Sequence, residues 1–97
     1  MAQGGELIRV KANHWRGDLS VGGHLTLTNE LLSFRAHRLN TDTEPLDLPV
    51  ADIASVATYR SMGFIPNGVV VTTTSGVEHR FVVSGRGRVV AAIESLR

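Results

Sequence analysis

The chain has 97 residues, of which 42% are hydrophobic and 20% are charged, and it contains no cysteine. This composition is that of an ordinary globular protein with room for one hydrophobic core, and it excludes a disordered or disulfide-stabilised chain, thiolate metal sites and cysteine nucleophiles. Ten basic residues against nine acidic ones give a net charge of +1, which excludes a global field that attracts nucleic acid or anionic membranes. We expect a single domain spanning residues 1–97.

The sequence contains no run of about 18 apolar residues, and its first residues, MAQGGELIRVK, lack the apolar core of a signal peptide. The absence of cysteine fits a reducing compartment. We therefore expect a cytoplasmic protein, with peripheral attachment to a membrane left open.

Alternating apolar residues predict a first strand over residues 6–13, with Ile8, Val10 and Ala12 on one face. Residues 13–23 (NHWRGDLSVGG) predict a loop or irregular strand that ends in a glycine pair.

Residues 22–40 predict a β-hairpin, because two alternating segments flank a turn signal at Thr28, Asn29 and Glu30. The positions expected to face the core are Leu25, Leu27, Leu32, Phe34 and Ala36.

The second half of the chain is also predicted to be mostly β. The predicted elements are a strand over 43–48, a turn over 49–52, a strand over 53–60, a loop over 61–68 with a turn at Asn67-Gly68, and a hairpin formed by 69–74 and 77–83. In that hairpin, Val69, Val71, Phe81 and Val83 are the expected inward positions.

From about Arg86 the period changes, because Val89, Ala92, Ile93 and Leu96 form the i, i+3, i+4, i+7 stripe of an amphipathic helix. We therefore predict a mainly β fold, an antiparallel sandwich or partly open barrel of about seven strands capped by one C-terminal helix.

Several short motifs resemble bacterial members of the GRAM domain family, which belongs to the pleckstrin-homology-like superfamily. The resembling segments run from Ala12 to the C-terminus and are ANH (12–14), GHLTLTN (23–29), FRAHRLN (34–40), DI (52–53) after a proline-containing turn, IPNG (65–68) and FVV (81–83). The chain departs from the family at Leu31, where a basic residue is frequent, and near Val89, where a tryptophan is frequent.

This resemblance implies a pleckstrin-homology-like fold and a module of membrane-associated processes that binds lipid or protein without catalysis or a cofactor. In phosphoinositide-binding relatives, basic residues near the first two strands hold the phosphates. The nearest equivalents in this sequence are Arg9, Lys11 and Arg16.

Two apolar features are candidates for binding. Trp15, the only tryptophan, lies between His14 and Arg16 and is expected either to anchor a lipid or protein contact or to cover the core. Met62, Phe64 and Ile65 are expected either to form an exposed apolar patch or to fold back over an open barrel end.

The sequence gives little support for a metal, catalytic or nucleic-acid-binding site. The four histidines (His14, His24, His37 and His79) have no HxH or HxxxH spacing, and neither a GxSxG motif nor a carboxylate pair is present, so we expect no metal, cofactor or catalytic site. The expected surface positions lack the aromatic platforms of a nucleic-acid binder.

The sequence thus predicts a non-enzymatic module for protein–protein interaction or self-association, whose partner is an unidentified protein or a second copy of the chain. The alternative is a lipid or anionic membrane surface, bound through the 11–16 region and the 62–65 loop. The candidate binding residues are Lys11, Trp15, Arg16, Met62, Phe64 and Ile65.

Overall fold

Seven antiparallel strands form one curled sheet, a half-barrel capped by a C-terminal helix, in a computed structural model that describes residues 5–37 and 45–97. This is the predicted fold class. The strands are β1 (Ile8–Arg16), β2 (Leu19–Leu27), β3 (Leu31–Ala36), β4 (Leu46–Pro49), β5 (Ile53–Ser61), β6 (Ile65–Thr73) and β7 (Glu78–Val83). A single 3₁₀ turn, Val50–Asp52, joins β4 to β5, and the helix α1 spans Arg86–Glu94.

The strand order is β4-β3-β2-β1-β7-β6-β5, so β1 lies at the centre and β4 and β5 form the two edges. β1 pairs with β2 along its whole length, from Ile8 opposite Leu27 to Arg16 opposite Leu19. It pairs with β7 only through residues 12–14, which lie opposite residues 81–83. This short β1–β7 seam joins two halves of the sheet, each built from its own hairpins.

The core lies on the concave face of the sheet, where the predicted alternation places the apolar side chains. Phe34 and Phe81 are fully buried, and each stabilises the fold by roughly 2 kcal/mol relative to an exposed side chain. The predicted inward positions Leu25, Leu27, Leu32, Val69, Val71 and Val83 are also buried. Ala36, at the end of β3, is only half-buried.

Helix α1 closes the open side of the half-barrel with the predicted apolar stripe. Val89 and Ile93 are buried in the core, and Ala92 and Leu96 pack against it. Because the helix has only nine residues and contains two adjacent valines, packing on β5 and β6 rather than intrinsic propensity stabilises it.

The segment 13–23, predicted to be a loop or irregular strand, instead forms the end of β1, a tight turn at Gly17 and the start of β2. Gly22 and Gly23 lie inside β2 rather than before it. At Gly23 a Cβ atom would lie 2.1 Å from the carbonyl oxygen of Arg35, so glycine there allows β3 to approach closely.

The loop predicted over 61–68 is a tight hairpin tip, because β6 already begins at Ile65, opposite Ser61. The expected turn at Asn67-Gly68 is wrong, since both residues lie within β6. A register shift between Tyr59 and Ser61 accommodates the strand at Pro66, which has no N–H to donate. The predicted positions 38–40 and 43–44 lie outside the described residues.

Candidate functional site

Two hairpin tips, β1–β2 and β5–β6, meet on the outer face of the sheet and enclose a depression of about 370 Å³. The depression is lined by Trp15, Gly17, Tyr59, Arg60, Ser61, Met62 and Arg80. The structure therefore brings together Trp15 and Met62, two candidate residues that are 47 positions apart in the sequence.

Tyr59 forms the floor of this depression. Its ring lies directly over Gly68 on the neighbouring strand, and its hydroxyl donates a hydrogen bond of 3.3 Å to the carbonyl oxygen of Phe81. The guanidinium carbon of Arg80 lies 5.3 Å from the centre of the ring, a cation–π distance. Burial raises the pKa of the Tyr59 hydroxyl, against the opposing effect of the nearby Arg80 charge.

Trp15 lies on the outer face of β1, because the buried His14 next to it faces the core and side chains alternate along a strand. Its side chain is 38% exposed, and its indole N–H interacts with the Tyr59 hydroxyl. Trp15 therefore packs beside Tyr59 on the convex surface.

The β5–β6 tip carries the two most exposed large apolar side chains among the described residues, Met62 (82%) and Phe64 (67%). Met62 has a φ of 53°, a left-handed conformation that is unusual for a residue with a side chain. Backbone hydrogen bonds from Gly63 N to Arg60 O and from Phe64 N to Ser61 O, both 3.2 Å, close the turn. The half-buried Ile65 begins β6.

We call Trp15, Tyr59, Arg60, Met62, Phe64 and Arg80 the tip surface. It combines apolar side chains with two guanidinium groups that lie beside them.

The other two candidate residues lie elsewhere. Arg16 is on the same face of β1 as His14, and its charge acts on the pKa of that histidine. Lys11 shares the outer face with Trp15 but lies about 13 Å along the strand. It lines a separate depression of about 400 Å³ with Asn13, His37, Asn67 and Ser84, among other residues.

Positive charge is concentrated near Lys11. The pKa of His24, on the adjacent strand, is lowered by partial desolvation and by the charges of Arg9, His37 and Lys11. The rings of His24 and His37 meet edge to face, with centroids 4.9 Å apart. Lys11 and Arg16, the two cations of the 11–16 region, thus lie on opposite faces of β1.

A polar side chain also lies in the core. His14 is only 6% exposed and stacks on Phe81 with ring centroids 4.8 Å apart, while His79 lies 5.8 Å away. Among the described residues its Nδ1 atom has no hydrogen-bond partner. Burial, followed by the charges of Arg16 and His79, lowers the pKa of His14 to about 4, so the ring is neutral at pH 7.

Within residues 5–37 and 45–97, no group of three His, Cys, Asp or Glu side chains is arranged to hold a metal ion. The described part of the chain also has no helix long and apolar enough to cross a membrane.

Sequence reasoning missed Tyr59, Arg60 and Arg80 as members of the site. Tyr59 is the only aromatic residue in β5, and it lies opposite a glycine in β6. That pairing indicates a ring lying across the neighbouring strand, but it becomes visible only when the register of β5 and β6 is known.

Comparison with known proteins identifies a family and solved structures of the same fold. A protein-family model described as the GRAM domain matches residues 1–91. A search of curated proteins finds no match.

Several solved structures share the fold, among them the following two. The C-terminal domain of an unknown protein from Leishmania infantum aligns with a TM-score of 0.83 and 16% identity, covering 96% of this chain and 84% of that one. The N-terminal PH domain of the human ARAP2 protein aligns with a TM-score of 0.71 and 10% identity, covering 92% of this chain and 76% of that one. The family model matches nearly all of the chain, and the fold is pleckstrin-homology-like. The chain therefore belongs to the GRAM domain family.

Proposed function

We propose that this chain binds another protein through the tip surface and acts without catalysis. GRAM domains are non-catalytic modules. The observation that carries the proposal is the joining of two hairpin tips into one exposed surface of Trp, Tyr, Met, Phe and Arg side chains. These residue types are enriched in protein interfaces, and Trp, Tyr and Arg dominate their binding energy.

The arrangement of Tyr59 supports this proposal, because the side chain is already fixed before a partner arrives. The ring lies against Gly68 and within 5.3 Å of the Arg80 guanidinium, and its hydroxyl is hydrogen-bonded to the Phe81 carbonyl, so three contacts favour this orientation. A side chain that is ordered in the free protein loses little entropy on binding.

A second candidate function is docking to an anionic membrane surface. Met62 and Phe64 project from one hairpin tip, with Arg60 on the strand that leads into it. Apolar side chains that insert at an interface, with cations that contact lipid phosphates, are a recurrent mode of peripheral binding.

Site-specific photo-cross-linking tests the protein proposal. A benzophenone amino acid placed at Met62 is expected to yield a discrete protein adduct in cells, whereas the same group at Leu7 is not. Leu7 is a matched control because it is 51% exposed but precedes β1, at the opposite end of that strand from Trp15. The adduct should disappear when Trp15→Ala or Arg80→Ala is added, and an adduct insensitive to both changes would contradict the proposal.

Co-sedimentation with vesicles tests the membrane candidate. The purified protein is mixed with neutral or anionic vesicles at low and physiological salt while Trp15 fluorescence is recorded. Salt-sensitive binding with a blue shift, reduced by Met62→Ser and Phe64→Ser but not by Leu7→Ser, would favour the membrane. The absence of sedimentation under every condition would remove that candidate.

A further inference from the structure

The two arginines of the tip surface carry hydrogen-bond donors that the described part of the protein leaves largely unused. A guanidinium group has five N–H donors. Arg60 donates one hydrogen bond, of 3.4 Å, to the carbonyl oxygen of Phe64, and it forms no ion pair with a described residue. For Arg80, the one carboxylate within 4 Å among the described residues is that of Glu78, at 3.9 Å, which is beyond hydrogen-bond distance.

Arg35, on the outer face of β3, shows how an exposed strand arginine is satisfied elsewhere in the same sheet. It donates to both carboxylate oxygens of Asp47, at 3.0 and 3.2 Å, and to the carbonyl oxygen of Leu46, at 3.2 Å. Neither arginine of the tip surface has such a partner among the described residues. Asp18, which follows Gly17 at the rim of the depression, is exposed and forms no ion pair with them.

Apolar groups lie beside these donors in the same depression. Trp15 and Met62 line it together with the two arginines. The Arg80 guanidinium lies over the Tyr59 ring, 5.3 Å from its centre, so the ring supports the group while its N–H donors remain available to an anion. A ligand that fills the depression therefore combines an anionic group with an apolar side chain.

The position of Arg80 favours a protein segment over a membrane as the source of this anion. Arg80 lies opposite Val70, five residues from Ile65 at the start of β6, so its backbone is roughly 17 Å behind the hairpin tip. A flat surface that receives Met62 and Phe64 at the tip does not extend into the depression as far as Arg80. An extended peptide segment does.

We propose that the tip surface recognises an acidic segment of its protein partner. An Asp or Glu carboxylate of that segment is bound by Arg60 and Arg80, with the bidentate geometry that arginine offers to carboxylates. An apolar side chain within two residues of the acid packs on Trp15 and Met62. Side chains two residues apart in an extended segment lie on one face, roughly 7 Å apart, so one short segment supplies both groups. This inference rests on the proposed function and adds the chemistry of the partner.

Fluorescence titration with short peptides tests the proposal, because Trp15 is the only tryptophan and lines the depression. The probes are acetyl-Ala-Glu-Ala-Phe-Ala-amide, the same peptide with Gln in place of Glu, and the same peptide with Ala in place of Phe. At low salt the Glu-Phe peptide is expected to bind roughly ten times more tightly than either of the others. Physiological salt should reduce its advantage over the Gln peptide but not its advantage over the peptide without Phe.

An Arg60→Gln/Arg80→Gln double variant should bind the Glu-Phe and Gln-Phe peptides equally. Arg88→Gln, exposed on α1 and outside the depression, is the control and should keep the preference for Glu. The salt dependence is measured on the unmodified protein, so this part of the test does not require the double variant to fold.

Equal binding of the Glu-Phe and Gln-Phe peptides by the unmodified protein would overturn the proposal, as would no binding of any peptide up to about 5 mM. A preference for Glu that persists in a folded double variant would also overturn it, and so would a Trp15 blue shift with anionic vesicles that excess Glu-Phe peptide does not reverse. The cross-link at Met62 separates the two failures. An adduct without a preference for Glu rejects only the acidic segment, whereas a missing adduct rejects the protein interaction itself.

Discussion

The ring of Tyr59 rests on the bare backbone of Gly68, so closely that a Cβ atom at Gly68 would lie 2.6 Å from the ring carbons. The tip surface therefore depends on a buried residue that has no side chain. This contact couples the orientation of Tyr59 to the β5–β6 register.

Gly68→Ala should displace Tyr59 and break its hydrogen bond to the Phe81 carbonyl. We expect a loss of about 1–3 kcal/mol in the free energy of unfolding, the usual range for overpacking, measured by urea denaturation. In a Tyr59→Ala background the same change should cost far less, because no ring is then displaced. An equal cost in both backgrounds would show that Tyr59 does not rest on Gly68.

The glycine pair in β2 offers a second comparison. Gly23→Ala should destabilise the protein by about 3 kcal/mol or prevent folding, because the new methyl group meets the backbone of Arg35 and Ala36, which cannot move aside. Gly22→Ala should be tolerated, since its nearest neighbours are side-chain atoms at 3.6 and 3.7 Å. Thermal melts of both variants measure this difference in stability, and similar melting temperatures would contradict the close packing of β3 against Gly23.

Met62 combines a strained backbone with an exposed side chain. Met62→Asn should increase stability by about 0.5–1 kcal/mol, because asparagine tolerates the left-handed conformation better. Phe64→Asn, on the same tip, is the control and should leave stability nearly unchanged. If the tip surface binds a partner, Met62→Asn should weaken that binding although the protein becomes more stable. A destabilised Met62→Asn would indicate that the methionine packs against the tip.

Acid should destabilise the fold through His14. Its pKa is about 4 in the folded protein and near 6.5 when unfolded, so the unfolded state binds the proton first. The contribution of the neutral His14 ring to the free energy of unfolding is complete above about pH 6.5. It is lost as the pH falls towards 4, by an amount on the order of 3 kcal/mol. His79, whose pKa is also lowered by burial, adds to the same trend.

Urea denaturation at a series of pH values from 7 to 4 measures this loss. His14→Gln should flatten the pH dependence, whereas His37→Gln, at an exposed position, should leave it steep. Equal slopes in His14→Gln and the unmodified protein would exclude His14 as the group responsible.

The strands with one apolar and one polar face were predictable from the sequence. In β1 the alternation of Ile8, Val10 and Ala12 with charged residues indicates both the element and its buried face. The same rule failed near Gly22 and Asn67, because glycine and asparagine indicate turns locally while pairing with neighbouring strands decides the outcome.

The site was less predictable because it depends on contacts between strands distant in sequence. Trp15 and Met62 were each recognisable as unusual apolar residues, but only the curl of the sheet brings their hairpin tips together. The grouping of Lys11 with Arg16 was misleading because an odd and an even position of one strand face opposite sides. Tyr59 and Arg80 carried no local signal of their own.

The β1–β7 seam is also the place where the molecule should open first. Three residue pairs and one further hydrogen bond, from the Ser84 N–H to the Lys11 carbonyl oxygen, join β1 to β7 there, and His14 lies at one end of the seam, opposite Phe81. Protonation of that single ring would place a charge directly between the halves. Mild acid should therefore part the sheet along this line, while the hairpins on either side keep their own backbone hydrogen bonds and exchange their amide protons later.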